Sequence, residues 1–153
     1  MLMKSAKRNG SLLEPLVKRR VLIIDDHPLM RRGLTALINN EPDLEVCADA
    51  DGPRAGLEAI ASSQPDLVIT DLSMGDGGGF SLLEDIRSGN KDLPILILSK
   101  HDGRNHVRRA LSAGANGYVS KPEMGEVLLD AIRSVLGGET YLSPKVMADS
   151  ASK

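Results

Sequence analysis

The feature that most constrains this chain is a regular beat of short, almost wholly apolar runs. They fall at Val21 to Ile24, Leu44 to Ala48, Leu67 to Thr70, Ile95 to Leu98 and Tyr118 to Val119, about 22 to 28 residues apart. A strand with one face in water alternates polar and apolar residues; runs without that alternation read as strands buried on both faces. Between them the apolar spacing becomes helical. Met30, Leu34, Leu37 and Ile38 share one face, as do Leu57, Ile60 and Ala61, and later Val107, Ala110 and Leu111. A final stripe of Val127, Leu128, Ala131, Ile132, Val135 and Leu136 closes at Gly137 and Gly138. Five strands alternating with helices predict an α/β fold, a parallel sheet covered on both faces. With 153 residues, 41% of them hydrophobic, one domain can bury a substantial core.

The composition removes several function classes. One Phe, two Tyr and no Trp leave too few rings for a base-stacking nucleic-acid surface. The single cysteine, Cys47, excludes an internal disulfide and a CxxC zinc pattern, and its setting in "LEVCA" reads as a small buried hydrophobe. No run of 18 apolar residues is present, so no membrane span is expected. Charge is uneven: residues 1–20 hold six Lys or Arg against Glu14, a net of +5, which leaves −7 elsewhere because the whole chain is −2. Glu14 and Pro15 interrupt the apolar stretch of that basic start, so it lacks the h-region of a signal peptide and reads as a flexible cytoplasmic tail over residues 1–19.

Ligands of open parallel α/β sheets bind beyond the carboxyl ends of the strands, so the residues that follow each strand matter most. The first strand runs into Asp25 and Asp26, the third into Asp71, the fourth into Ser99 and the fifth into Lys121. Any one of these is an ordinary strand-end residue. Three carboxylates, a hydroxyl and an ammonium at one edge constitute a chemical site. At an effective dielectric near 20, unit charges about 4 Å apart repel by roughly 4 kcal/mol, so the adjacent aspartates call for a cation.

In this order and spacing, "DD", "DLSM", "LS" and "KP" resemble the receiver domain of two-component response regulators over residues 20–138. The segments "VLIIDDHPLMRRGL" and "GGETYLSP" further resemble the subfamily in which a receiver precedes a LuxR-type helix-turn-helix domain (NarL-FixJ-like). The resemblance implies a flavodoxin-like (βα)5 sandwich with a five-stranded sheet in the order 2-1-3-4-5. It implies Asp71 as phosphoacceptor, and Mg²⁺ or Mn²⁺ held by Asp26, Asp71 and the backbone carbonyl of Ser73, with Asp25 holding a metal-bound water. Lys121 would pair with a phosphoryl oxygen, and Pro122 would follow a cis peptide bond. Ser99 would donate its hydroxyl to the phosphoryl group, with Tyr118 filling the space vacated by the loop after the fourth strand. His101 and Ser73 would border the water path to the acyl phosphate, His101 tuning its lifetime.

None of the three histidines accompanies a serine or cysteine in a nucleophile pattern. His27 reads as a cap of the first helix, and His106, with Arg104, Arg108 and Arg109, as part of a solvated or partner-facing helix surface. Where similar receivers carry proline four residues after the acceptor, this chain has Gly75 within "GDGGGF". A phosphate-cradling nucleotide turn is disfavoured for this segment. Asp71 and Asp76 would repel phosphates, and the G-x-G-x-x-G spacing is not met. The expectation is a less ordered loop with altered metal or kinase binding.

The resemblance implies a sensor histidine kinase as partner and leaves room for a homodimer. Enzymic activity is expected to be limited to self-phosphorylation and autodephosphorylation. A phosphorylation-independent pseudo-receiver, acting as an interaction module, is the alternative; a metal-dependent aspartyl-phosphate hydrolase acting on outside substrates is the other, disfavoured by loops too small to enclose a substrate. Residues 139–153 read as a C-terminal linker or tail, too short for a helix-turn-helix domain, so DNA would be met only through an output domain outside this chain.

Overall fold

A computed structural model describes residues 17–74, 78–101 and 103–151. The basic start up to residue 16 and the centre of the glycine-rich loop, residues 75–77, lie outside the described residues, and with them the expectations of a flexible tail and a loosened loop. The elements run β1 (Arg19–Ile24), α1 (Pro28–Asn39), β2 (Leu44–Ala50), α2 (Pro53–Ser63), β3 (Leu67–Thr70), α3 (Gly78–Gly89), β4 (Ile95–Ser99), α4 (Arg104–Ser112), β5 (Gly117–Ser120), a 3-10 turn (Lys121–Glu123), α5 (Met124–Leu136), β6 (Tyr141–Leu142) and α6 (Pro144–Ala151). The sheet order is β2-β1-β3-β4-β5-β6, every neighbouring pair parallel. The expected flavodoxin-like order is therefore present, with one strand added at its edge.

Period-two alternation along the strands divides the core between the two faces of the sheet. Leu22, Ile24, Val68, Ile95, Ile97 and Tyr118 pack with Leu83, Ile86, Val107 and Ala110 of α3 and α4. Val21, Ile23, Leu67, Ile69, Leu96, Leu98 and Val119 pack with Leu34 and Ile38 of α1 and Leu128, Ile132 and Val135 of α5. Both faces are covered, as runs without polar alternation require. Cys47 departs from its expected burial: the register of β1 against β2 shifts between Val21 and Leu22, and Cys47, the extra residue on β2, is only half-buried.

The segment read as a linker from residue 139 is folded onto the domain. Helix α5 ends in a Schellman turn: Gly138, at φ +92°, donates to the Val135 carbonyl, and Glu139 to that of Ser134. That left-handed glycine turns the chain so that Tyr141–Leu142 pairs with Gly117 and Tyr118. Gly117 eases this approach, since a Cβ there would lie 3.2 Å from the Tyr141 carbonyl oxygen and 2.7 Å from Leu96 Cδ1. Val146 of α6 is fully buried in the same cluster as α4. A two-residue strand has no periodicity to read, which is why the sequence pattern stops at Gly138.

Candidate functional site

Register brings the acids together. Ile24 of β1 pairs with Thr70 of β3, so Asp25 and Asp71, the next residue on each, stand side by side at the carboxyl edge. Asp25 is 2% exposed and Asp71 1%. Ser99 is the last residue of β4, paired with Ser120, and Lys121 follows immediately. Strand β5 stands two strand spacings from β3, roughly 9.6 Å, a gap that the lysine and aspartate side chains close between them. Lys121 Nζ lies 2.8 Å from Asp71 Oδ2 and 3.4 Å from Asp25 Oδ2, with the side chain itself buried. Asp71 Oδ1 accepts the Ser73 backbone N–H at 2.9 Å.

Asp26 is partly exposed at the mouth, and His27 beside it turns inward. His27 Nδ1 is 2.7 Å from Asp25 Oδ1 and 3.0 Å from Asp26 Oδ1. The expected cap is therefore not made: His27 occupies the N-cap position of α1 without a side-chain cap hydrogen bond, because two carboxylates offer its ring a stronger partner than the helix N–H groups. Arg31 stays outside the cluster, donating to the Asp25 main-chain carbonyl and facing Asp49. Three carboxylates against one ammonium leave two formal negative charges at a largely dry strand edge. One ligand atom from each of Asp25, Asp26, His27 and Asp71 falls within a span of 4.8 Å. Oxygen donors in a concentrated negative field are the chemistry that a hard divalent cation seeks, so these residues fit one.

The loops beside the acids are held in two ways that spacing does not show. A Cβ on Gly79 would overlap Leu72 Cα and lie 2.6 Å from the Leu72 carbonyl oxygen, so the first turn of α3 rests directly on the backbone that follows Asp71. At least one glycine of "GDGGG" therefore serves close packing. After β4, the His101 N–H donates to Ser99 Oγ at 3.0 Å, while the fully buried Tyr118 donates its hydroxyl to the His101 carbonyl. The His101 ring stacks on His106 of α4, centroids 4.9 Å apart, and Arg109 lies 3.9 Å above the ring of Phe80 of α3. His106 is exposed, as expected, but its ring belongs to this small stack and is not simply solvated. All peptide bonds among the described residues are trans, Lys121–Pro122 included; here Pro122 sits inside the 3-10 turn, whose backbone accommodates its fixed φ in the trans form.

Beyond the turn, Ser143 forms a clasp that sequence reading missed. Its hydroxyl donates to Glu123 Oε2 at 2.5 Å and accepts the Ser120 N–H at 3.1 Å, while Glu123 Oε1 accepts the Lys145 N–H at 2.9 Å. The acid thus serves the first turn of α6 from outside the helix.

Comparison with known proteins agrees with this geometry. The response regulator receiver domain matches residues 21–133. The nitrate/nitrite response regulator protein homolog of Haemophilus influenzae is 37% identical over 129 residues, covering 84% of this chain and 62% of that protein. The nitrate/nitrite response regulator protein NarP of Escherichia coli is 35% identical, over 83% of this chain and 59% of NarP. This chain thus spans about three fifths of the length of those relatives. The crystal structure of a two-component response regulator of the LuxR family from Aurantimonas superposes with a TM-score of 0.84 at 32% identity, over 88% of this chain and 96% of that one. With the order of the sheet, the acids at its carboxyl edge and the lysine that crosses to them, these likenesses establish that the chain belongs to the response regulator receiver domain family.

Proposed function

We propose that this domain accepts a phosphoryl group on Asp71 from the phosphohistidine of a sensor histidine kinase, with Mg²⁺ or Mn²⁺ as cofactor. The observation that carries the reading is the buried pair of carboxylates, Asp25 and Asp71, bridged by a single ammonium at 2.8 and 3.4 Å and left with excess negative charge. A receiving oxygen of Asp71 forms the P–O bond as the P–N bond of the donor breaks, and the donor imidazole, already protonated on its other nitrogen, leaves as the neutral ring. Lys121, which neutralises Asp71 before transfer, passes to a phosphoryl oxygen afterwards, so its charge is compensated in both states. Asp26, Asp71 and the Ser73 carbonyl would hold the cation and Asp25 a water bound to it; when bound, the cation would offset charge on the incoming group.

Ser99 supplies the hydroxyl that orders the loop after β4, since its oxygen already anchors the His101 N–H and its proton remains to be donated. Tyr118 lies inward in this structure, so phosphorylation would act by favouring an arrangement that the chain already adopts. Together with Ser73, His101 would tune dephosphorylation, its stacked ring setting how water approaches. In a longer, cytoplasmic protein the surface around α4, β5 and α5 would regulate transcription through a helix-turn-helix domain, with or without self-association. Among the described residues no helix is long and apolar enough to cross a membrane.

Incubation with Mg²⁺ and acetyl phosphate tests the core of the reading by intact-protein mass. One phosphoryl group should be gained by the wild type and none by Asp71→Asn or in EDTA. No gain in a folded wild type, beside a working positive control, would favour the phosphorylation-independent module.

A further inference from the structure

We propose that His27 is a direct ligand of the divalent cation at this site, and that its imidazole shifts the preference of the site from Mg²⁺ toward Mn²⁺, Co²⁺ and Ni²⁺. The inference rests on the metal-binding reading of the acidic cluster and assigns its selectivity. Around an octahedral cation with bonds of about 2.1 Å, neighbouring ligand atoms lie roughly 3.0 Å apart and opposite ones roughly 4.2 Å. His27 Nδ1 stands 3.0 Å from Asp26 Oδ1, a separation that suits neighbouring corners, and 2.7 Å from Asp25 Oδ1, the acid read as holding a metal-bound water beside it. The whole set, Asp71 included, spans no more than 4.8 Å, so a small inward shift brings it to coordinating size.

Local structure commits the ring to this place. The His27 N–H donates to Asp25 Oδ1 at 2.8 Å, which fixes the main chain of the turn against the acid, and Pro28 opens α1 directly behind it. The ring makes no helix cap that would hold it elsewhere. About half of the side chain remains exposed, so an ion arriving from solvent reaches it before the buried acids. Nδ1 can take a cation when the ring carries its hydrogen on Nε2. Mg²⁺ is hard and strongly hydrated, and keeps oxygen and water around it; imidazole adds affinity chiefly for later transition ions, in the order Mn²⁺, Co²⁺, Ni²⁺.

Calorimetric titration of the full chain with MgCl₂, MnCl₂ and CoCl₂ tests this, beside His27→Ala, His27→Gln and Asp26→Asn, with pulsed EPR of the Mn²⁺-loaded proteins. The expected result is a loss of at least about tenfold in Mn²⁺ and Co²⁺ affinity in both His27 variants. Mg²⁺ affinity should change less than about twofold. The ¹⁴N coupling to Mn²⁺ should be present in the wild type and absent in the variants. Equal losses for all three cations with no ¹⁴N coupling would make His27 a positioning residue and overturn the proposal. Unchanged or tighter binding in the variants would make the ring a competitor of the cation and overturn it equally. If the wild type, like Asp26→Asn, takes up none of the ions, the metal reading itself fails, and this inference with it.

Discussion

Lys121 and Glu123 stand two residues apart on one 3-10 turn and serve two polar clusters of opposite character. Lys121 faces Asp25 and Asp71, where carboxylates outnumber the cation. Glu123 faces Ser143 and the first turn of α6, where both of its oxygens accept a donor and the Ser143 hydroxyl is used twice. The closed cluster is what a buried polar network needs to hold structure. The open one carries a charge surplus that only an outside ligand removes, and a stable fold tolerates such a surplus where function uses it. Lys121 and Ser143 are both buried, so what separates the two clusters is that the Glu123 oxygens are both met by donors while the acids around Lys121 share one ammonium.

That contrast breaks most visibly at Lys121. Lys121→Ala leaves Asp25 and Asp71 buried without their ammonium, which should cost on the order of 3 kcal/mol in EDTA. Saturating Mg²⁺ should restore part of that loss by binding only the folded state. Phosphorylation by acetyl phosphate should slow by about 10²-fold or more, the usual effect of deleting one donor to developing charge. Urea unfolding with and without Mg²⁺, and mass against time, measure the two effects. Unchanged stability in EDTA would show that the acids do not depend on the lysine.

A smaller effect should come from the clasp. Ser143→Ala takes the hydroxyl from the Ser120 N–H and from Glu123, a loss of about 1–3 kcal/mol. The phosphorylation rate should stay at the wild-type value, since the surplus charge lies on the other side of the turn. A large fall in that rate would show that the clusters are one unit.

The smallest effect sharpens the same comparison through pH. Burial, and then the charges of Asp130 and Glu123, hold the Tyr141 phenol above its ordinary value of 10.0. A group whose folded pKa is raised contributes stability that is intact below its unfolded value and is lost as pH rises through the folded one. Urea midpoints should therefore fall as pH rises above about 10, and by less in Tyr141→Phe. Identical pH profiles would remove Tyr141 as the cause.

Much of the site is legible in the sequence because its logic is local. A strand that must be buried shows itself by apolar residues alone, and the polar residue that ends it marks the sheet edge: Asp25, Asp71, Ser99 and Lys121 all declare themselves in this way. His27 does not, because a histidine before Pro28 is locally a helix cap, and only the second carboxylate at 3.0 Å makes inward rotation preferable. Gly79 reads, with its neighbours, as a source of freedom, since sequence spacing says nothing of the Leu72 carbonyl oxygen 2.6 Å from where its Cβ would be.

The period of the elements, the first five strands of the sheet and the chemical groups at their ends were all present in the bare order of residues. They follow from hydrophobic spacing over four to twelve residues, which the chain carries in one dimension. That Tyr141–Leu142 joins the sheet, that α6 covers part of the α4 side and that His27 faces the acids emerged in three dimensions alone. For the strand and for α6 the partner lies far along the chain, where local spacing cannot show it. For His27 the acids are its own neighbours, Asp25 and Asp26, and what the fold decides is only which way the ring turns.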